Sequence, residues 1–188
     1  MNSKTSKKRL RKKIIEQRKN LSESVWKETS DRLCQTLQSS LLFQQGKTIL
    51  AYFPIHREPD ITPLFNSNHH WGFSRCLDNH LVWHSWTPQD PLITGKYGIL
   101  EPAPTAPILT AAEVDLILIP AVACDYQGYR LGYGGGFYDR LLSSPQWHSI
   151  PTMGIIFEFA LLSQLPVDSW DQKLTAICTE TKLLSIYA

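Results

Sequence analysis

Residues 114–124 read VDLILIPAVAC, and close behind them residues 128–140 read GYRLGYGGGFYDR. The first stretch is apolar at nearly every position and lacks the alternation of a half-buried strand, which is the pattern of a strand covered on both faces in a parallel sheet. The second puts five of the chain's ten glycines into nine positions, and FYDRLLSS at its end has helix-forming character. TMGIIF (152–157) follows as another buried strand. Strand, glycine loop, helix, strand is the βαβ order. The chain therefore reads as α/β: a three-layer α/β/α sandwich, Rossmann-like, with helices on both faces of a mostly parallel central sheet. Ligands of such sheets bind beyond the carboxyl ends of the strands, where the glycine loop falls.

The rest of the chain supplies further elements. Ser22 is placed to cap a helix carrying Trp26, Leu33, Leu37 and Leu41 on one face, and Gly46 closes that region. TILAYFPI (48–55) reads as a strand stopped by proline, ITPLFN as a short helix, and WGFSRCL and LVWHSW as two strands joined by a DNH turn. Residues 87–109, rich in proline and glycine, read as a long surface connection. After 157, FALLSQ reads as helical, and LTAICTETKLLSIY ends the chain.

At 188 residues, 43% apolar and 19% charged, the chain fits one ordinary domain. It has no apolar run of eighteen residues and no apolar signal core, so a cytoplasmic location is expected. Cys34, Cys76, Cys124 and Cys178 are far apart with no CxxC, which fits reduced, mostly buried thiols. Charge is uneven: residues 1–20 hold nine Lys/Arg and one acid, Glu16, so the head is +8 while the remaining body is −6. Leu10, Ile14 and the Gln17/Arg18 turn recur at helical spacing, one apolar seam among cations, which predicts a basic helix over about 7–20 that docks on the body.

The glycine loop is neither a Walker A sequence nor a strict GxGxxG. A GxGGG run at a helix start can aim several amides at one anion, and phosphate is the natural candidate, with Arg130 before it and Asp139 after it to flank the phosphate and a magnesium ion. A tight structural turn is an equal reading on glycine count alone. His69 with His70, and His80 with His84, lack the partners of a metal site and read as surface or satisfied histidines. A nucleic-acid-binding module, with the basic head on backbone phosphates and aromatics on bases, is the alternative class. It leaves the glycine loop and the aspartates without a task.

GYRLGYGGGFYD (128–139) preceded by DLILIP, KKRLR near the N-terminus, YFPIHRE (52–58), GILEP (98–102) and LPVDSWDQKLTAICTE (165–180) together resemble the 5-formyltetrahydrofolate cyclo-ligase family over nearly the whole chain. That resemblance implies ATP- and Mg2+-dependent closure of 5-formyltetrahydrofolate to 5,10-methenyltetrahydrofolate by a monomer. It implies catalytic roles for Arg130, Tyr133 and Asp139. ATP would be held by Lys7, Lys8, Arg9, Leu10 and Arg11, and by Arg130, Leu131, Gly132, Tyr133, Gly134, Gly135, Gly136, Phe137 and Tyr138. Folate would lie against Phe53, Glu58, Tyr133, Gly134, Gly135, Gly136 and Phe137, and magnesium on Asp139 and Asp171. By itself Phe53 reads as core. The chain departs from the family pattern at Trp170, where histidine is common, at Thr175, a frequent aspartate, and before Arg75, where relatives often carry proline.

Overall fold

In chain order the computed structural model, which describes residues 3–186, forms α1 (Ser3–Lys19), α2 (Glu23–Gln38), α3 (Leu41–Gln45), β1 (Thr48–Ala51), β2 (His70–Leu77), β3 (His80–Trp86), β4 (Leu92–Thr94) and β5 (Leu100–Pro102). There follow β6 (Leu116–Pro120), β7 (Ala123–Asp125), β8 (Arg130–Leu131), α4 (Phe137–Ser143), β9 (Thr152–Ile155), β10 (Leu161–Leu162), β11 (Ala176–Cys178) and β12 (Leu183–Ser185). The main sheet has seven strands in the order β12-β11-β9-β6-β1-β2-β3. Its five inner strands run parallel, and β3 and β12 are antiparallel edges.

The unbroken apolar run at β6 is explained by its place in the middle of this sheet. Leu116 and Leu118 face one layer and Ile117 and Ile119 the other, and all four are fully buried. On the first face they meet Leu33 and Leu37 of α2, Phe43 of α3, and Leu64 and Phe65 of a 3-10 turn at Thr62–Asn66. On the second they meet Ile14 of α1, Leu141 and Leu142 of α4, and the small sheet β10-β7-β8. Ser22 caps α2, its Oγ accepting from the Val25 amide at 3.2 Å. Among the described residues no helix is long and apolar enough to cross a membrane.

Four local expectations need correction. The stretch 114–124 is two strands in two sheets: β6 ends at Pro120, which has no N–H to extend a ladder, and Ala123 starts β7 in the small sheet. Leu41 is not on the α2 face; α2 stops at Gln38 and Leu41 stands 69% exposed on a separate helix. FALLSQ is no helix: a 3-10 turn over Glu158–Ala160 runs into β10, as expected of a segment too short to repay helix nucleation. The connection at 87–109 contains the β4–β5 hairpin.

One buried acid organises the approach to the glycine loop. Asp125, fully buried at the end of β7, accepts from the amides of Gln127 and Tyr129 at 3.0 Å through Oδ1, and from the Leu165 amide at 2.9 Å through Oδ2. It thereby shapes the β7–β8 turn and ties it to the segment before Trp170. A buried amide left without an acceptor costs about 1–3 kcal/mol. Asp125→Ala should therefore lower the unfolding free energy by about 3 kcal/mol or more in urea titration, and Asp125→Asn, which keeps one acceptor, by less.

Candidate active site

The strand order reverses direction between β1 and β6: from β1 the chain goes outward to β2 and β3, then returns to the other side of β1. A crevice opens beyond the carboxyl ends at such a point. Here it is a cleft of about 1180 Å3. Tyr52 and Phe53, which follow β1, Pro120, which ends β6, and the glycine loop all line it.

The loop bends where only glycine is comfortable. Gly134 has φ +105° and Gly136, the residue before α4, has φ +67°, values that cost a side-chain-bearing residue energy. Its carbonyls are fixed from outside: Arg11 Nε donates to the Gly132 oxygen at 2.7 Å and Arg140 Nη2 to the Gly135 oxygen at 2.9 Å. Arg130, nearly buried, pairs with Asp139 at 2.9 Å and lies over the Tyr138 ring at 5.2 Å. Its Nε is buried with no hydrogen-bond partner among the described residues, a donor an incoming acceptor would satisfy. Because α4 has seven residues, the anion-attracting character rests on loop amides and these cations more than on a long helix dipole.

The basic helix α1 supplies the second wall. Lys7 Nζ reaches Asp168 at 2.7 Å and Asp171 at 2.5 Å. Burial works against the Lys7 ammonium, but its hydrogen bonds to the two carboxylates outweigh this and its pKa is raised. The same hydrogen bond lowers the Asp168 pKa. Burial lowers the Arg11 pKa, against the pull of Asp171 and Asp139, which both act on this guanidinium.

The opposite wall is aromatic with one buried carboxyl. Phe53 stacks on Phe73 at 4.3 Å and meets Phe65 and Trp86 edge-on, so it packs, half-buried, against the core and also borders the cleft. Glu58, 2% exposed, accepts from the Ile55 amide at 3.0 Å and from the Tyr133 hydroxyl at 2.9 Å. Burial raises its pKa above the ordinary glutamate value; the Ile55 amide, Arg18 and the Tyr133 hydroxyl pull the other way without cancelling it. Burial likewise raises the Tyr133 and Tyr138 hydroxyls, which stay protonated donors.

The cleft thus gathers Lys7, Arg11, Phe53, Glu58, all of Arg130–Tyr138, Asp139 and Asp171. Lys8 and Arg9 point to solvent outside it, and Leu10 packs against the core. Trp170, 64% exposed, stands on the rim, while Thr175 is tied to Thr152 in the sheet. Arg75 turns to the Pro102 carbonyl and Glu101. Three further polar residues serve the site: Asp168, Arg140 and Arg18. Arg18 was visible in the sequence as the last member of a helical stripe with Lys7, Arg11 and Ile14. For a metal, no three His, Cys, Asp or Glu side chains converge among the described residues. Asp139 hydrogen-bonds through Oδ1 and Asp171 through Oδ2, leaving one oxygen each outside those bonds. Two such carboxylates fit a magnesium ion that keeps waters or phosphate oxygens as its other ligands.

Comparison with known proteins identifies the family. Residues 3–180 match the model of the 5-formyltetrahydrofolate cyclo-ligase family. The chain is 30% identical to 5-formyltetrahydrofolate cyclo-ligase of Mycolicibacterium smegmatis, with 93% of each covered, and 32% identical to that of Haemophilus influenzae over 70% of this chain and 74% of the other. A solved structure of Aquifex aeolicus 5,10-methenyltetrahydrofolate synthetase superposes with a TM-score of 0.86 at 32% identity, covering 97% of this chain and 93% of that one. With the family model matched over residues 3–180, and the fold and nearly the full length in common with these relatives, the chain belongs to the 5-formyltetrahydrofolate cyclo-ligase family.

Proposed function

We propose that the cleft converts 5-formyltetrahydrofolate to 5,10-methenyltetrahydrofolate, using ATP and magnesium and releasing ADP and phosphate. The observation that carries this reading is that two kinds of recognition share one cleft. One side offers glycine amides with Lys7, Arg11 and Arg130 for phosphates, and the other an aromatic wall with the buried Glu58 for a flat heterocycle bearing N–H groups. In this reading the working unit is a monomer, a single domain acting in the cytoplasm.

The formyl oxygen is a poor leaving group. In the proposed reaction it attacks the γ-phosphorus of ATP, and the bond from that phosphorus to the bridging oxygen of ADP breaks. N10 then attacks the activated formyl carbon, loses its proton, and phosphate departs, leaving the methenyl bridge between N5 and N10. Such phosphoryl transfer needs positioning and charge neutralisation more than covalent help. Arg130 and the amides of Gly134–Gly136 would orient the γ-phosphate, with Asp139 holding the Arg130 guanidinium in place. The Tyr133 ring, 40% exposed while its hydroxyl is bonded to Glu58, would lie against folate. Glu58 would accept from the pterin N–H groups. Magnesium, on Asp139 and Asp171, would supply neutralisation of phosphate charge.

The direct test is growth of the methenyl absorbance, expected when ATP, magnesium and 5-formyltetrahydrofolate are all present and absent when any one is withheld; no growth with folded protein and all three sinks the reading. Replacing Lys7 and Arg11 together by alanine should raise KM for ATP by about tenfold or more and KM for folate much less; equal rises would assign both residues to folding. Glu58 binds as a carboxylate, and burial places its pKa above the ordinary value. The charged acceptor is therefore lost as pH falls through that raised pKa, so kcat/KM for folate should drop there by about tenfold per pH unit. Glu58→Gln should have lower kcat/KM and lack this acid limb in a pH–rate profile.

A further inference from the structure

Lys7, Arg11, Ile14 and Arg18 form one stripe along α1. Lys7 meets the Asp168–Asp171 segment, Arg11 meets the glycine loop, and Arg18 meets the turn that follows β1. Arg18 is 2% exposed, yet no Asp or Glu oxygen lies within ion-pair distance of it among the described residues. Its Nε donates to the His56 carbonyl at 3.0 Å and its Nη2 to the Tyr133 hydroxyl. That hydroxyl donates in turn to Glu58 Oε1 at 2.9 Å. A buried guanidinium is costly unless it is compensated, and here the compensating groups are the His56 carbonyl, the Tyr133 hydroxyl and the Tyr133 ring, whose centre lies 5.7 Å from the guanidinium carbon. His56 and Arg57 both hold left-handed backbone, at φ +49° and +57°. Arg18 thus grips the strained turn that delivers Glu58 and, by the same side chain, the hydroxyl that anchors the glycine loop.

We propose that Arg18 is a positioning residue for the reaction: through the Tyr133 hydroxyl it aligns the Glu58 carboxylate with the glycine loop, so that one helix sets the folate half of the cleft against the nucleotide half. This rests on the reading of Glu58 as a folate ligand. The groups that face Glu58 come from four elements: Arg18 of α1, Tyr52 after β1, Tyr133 of the loop and Tyr138 of α4, with His56 tilted against the Tyr133 ring at 6.2 Å. Among the described residues, Arg18 is the cation that acts on Glu58. Removing its charge while keeping a hydrogen-bonding side chain should make the Glu58 carboxylate harder to form and leave the phosphate-facing Lys7 and Arg11 in place.

The experiment is steady-state kinetics across pH on wild type, Arg18→Gln, Arg18→Lys, Tyr133→Phe and the Arg18→Gln/Tyr133→Phe double variant. Arg18→Gln should raise KM for 5-formyltetrahydrofolate about tenfold, change KM for ATP less than about twofold, and move the acid limb of kcat/KM by about half a pH unit or more toward higher pH. Tyr133→Phe should move the limb the same way, Arg18→Lys should restore part of it, and the double variant should lose less than the product of the single losses. Wild-type acid limbs in Arg18→Gln and Tyr133→Phe, equal rises in both KM values, or multiplicative losses in the double variant overturn the inference while Glu58 keeps its role. If wild type has no acid limb that Glu58→Gln removes, the reading of Glu58 falls and the inference falls with it. Should Arg18→Gln fail to fold, Tyr133→Phe decides alone, an unmoved limb overturning the inference.

Discussion

A run of three glycines cannot hold its own shape, and this constraint governs the site. Gly134, Gly135 and Gly136 give the backbone access to positive φ at a high entropic cost on ordering, and they offer no side chain to anchor it. Every fixed point is therefore imported: Arg11 on the Gly132 carbonyl, Arg140 on the Gly135 carbonyl, Arg130 on Asp139, and the Tyr133 hydroxyl on Glu58. Arg11 and Arg140 hold carbonyls of the loop, and Arg130 holds Asp139 in the first turn of α4. The contacts that order the loop thus also place cations beside it, so under the proposed reading the structural and anion-binding roles of the glycines describe one arrangement.

The sheet decides where that arrangement is useful. With β1 and β6 adjacent and their onward connections diverging, the segments leaving both strands line one crevice. The β1 side brings Tyr52, Phe53 and Glu58, and the β6 side brings the small sheet and the glycine loop. Asp125 makes the second path reproducible by binding three backbone amides from two segments. Helix α1 then closes the crevice with polar contacts alongside the Ile14 anchor.

Much of this was legible in the sequence, for reasons that differ by residue. VDLILIP announces a central strand because burial on both faces removes any polar alternation, and Ser22 announces a helix start because a hydroxyl cap is local chemistry. Strand order was not legible, since it depends on which distant segments pair. FALLSQ misled because six apolar-rich residues satisfy a helical pattern while a pairing with β7 decides their state. Glu58 was reached through family resemblance, because an acid in a polar turn has no local mark of burial. Arg18 lay beyond the KKRLR motif, although the stripe 7, 11, 14, 18 already placed it on the face of Lys7 and Arg11. Asp125, within DYQG, looked like any turn acid; its three amide partners lie partly forty residues away.

The basic head also acquires a definite physical role. As a solvated tail its charge would be screened within about 10 Å at ordinary ionic strength. Instead Lys7 is held between Asp168 and Asp171, with the lysine pKa raised and the Asp168 pKa lowered, so the contact stays ionic across the neutral range. Under the proposed reading a polyphosphate enters a cleft that already contains Asp139 and Asp171, and these two carboxylates oppose it unless a divalent cation accompanies it. The acids that tether Lys7 and Arg130 before binding therefore select for phosphate that arrives with its metal. Under that reading the pairs that fix the cleft also make its cations available to one form of the nucleotide.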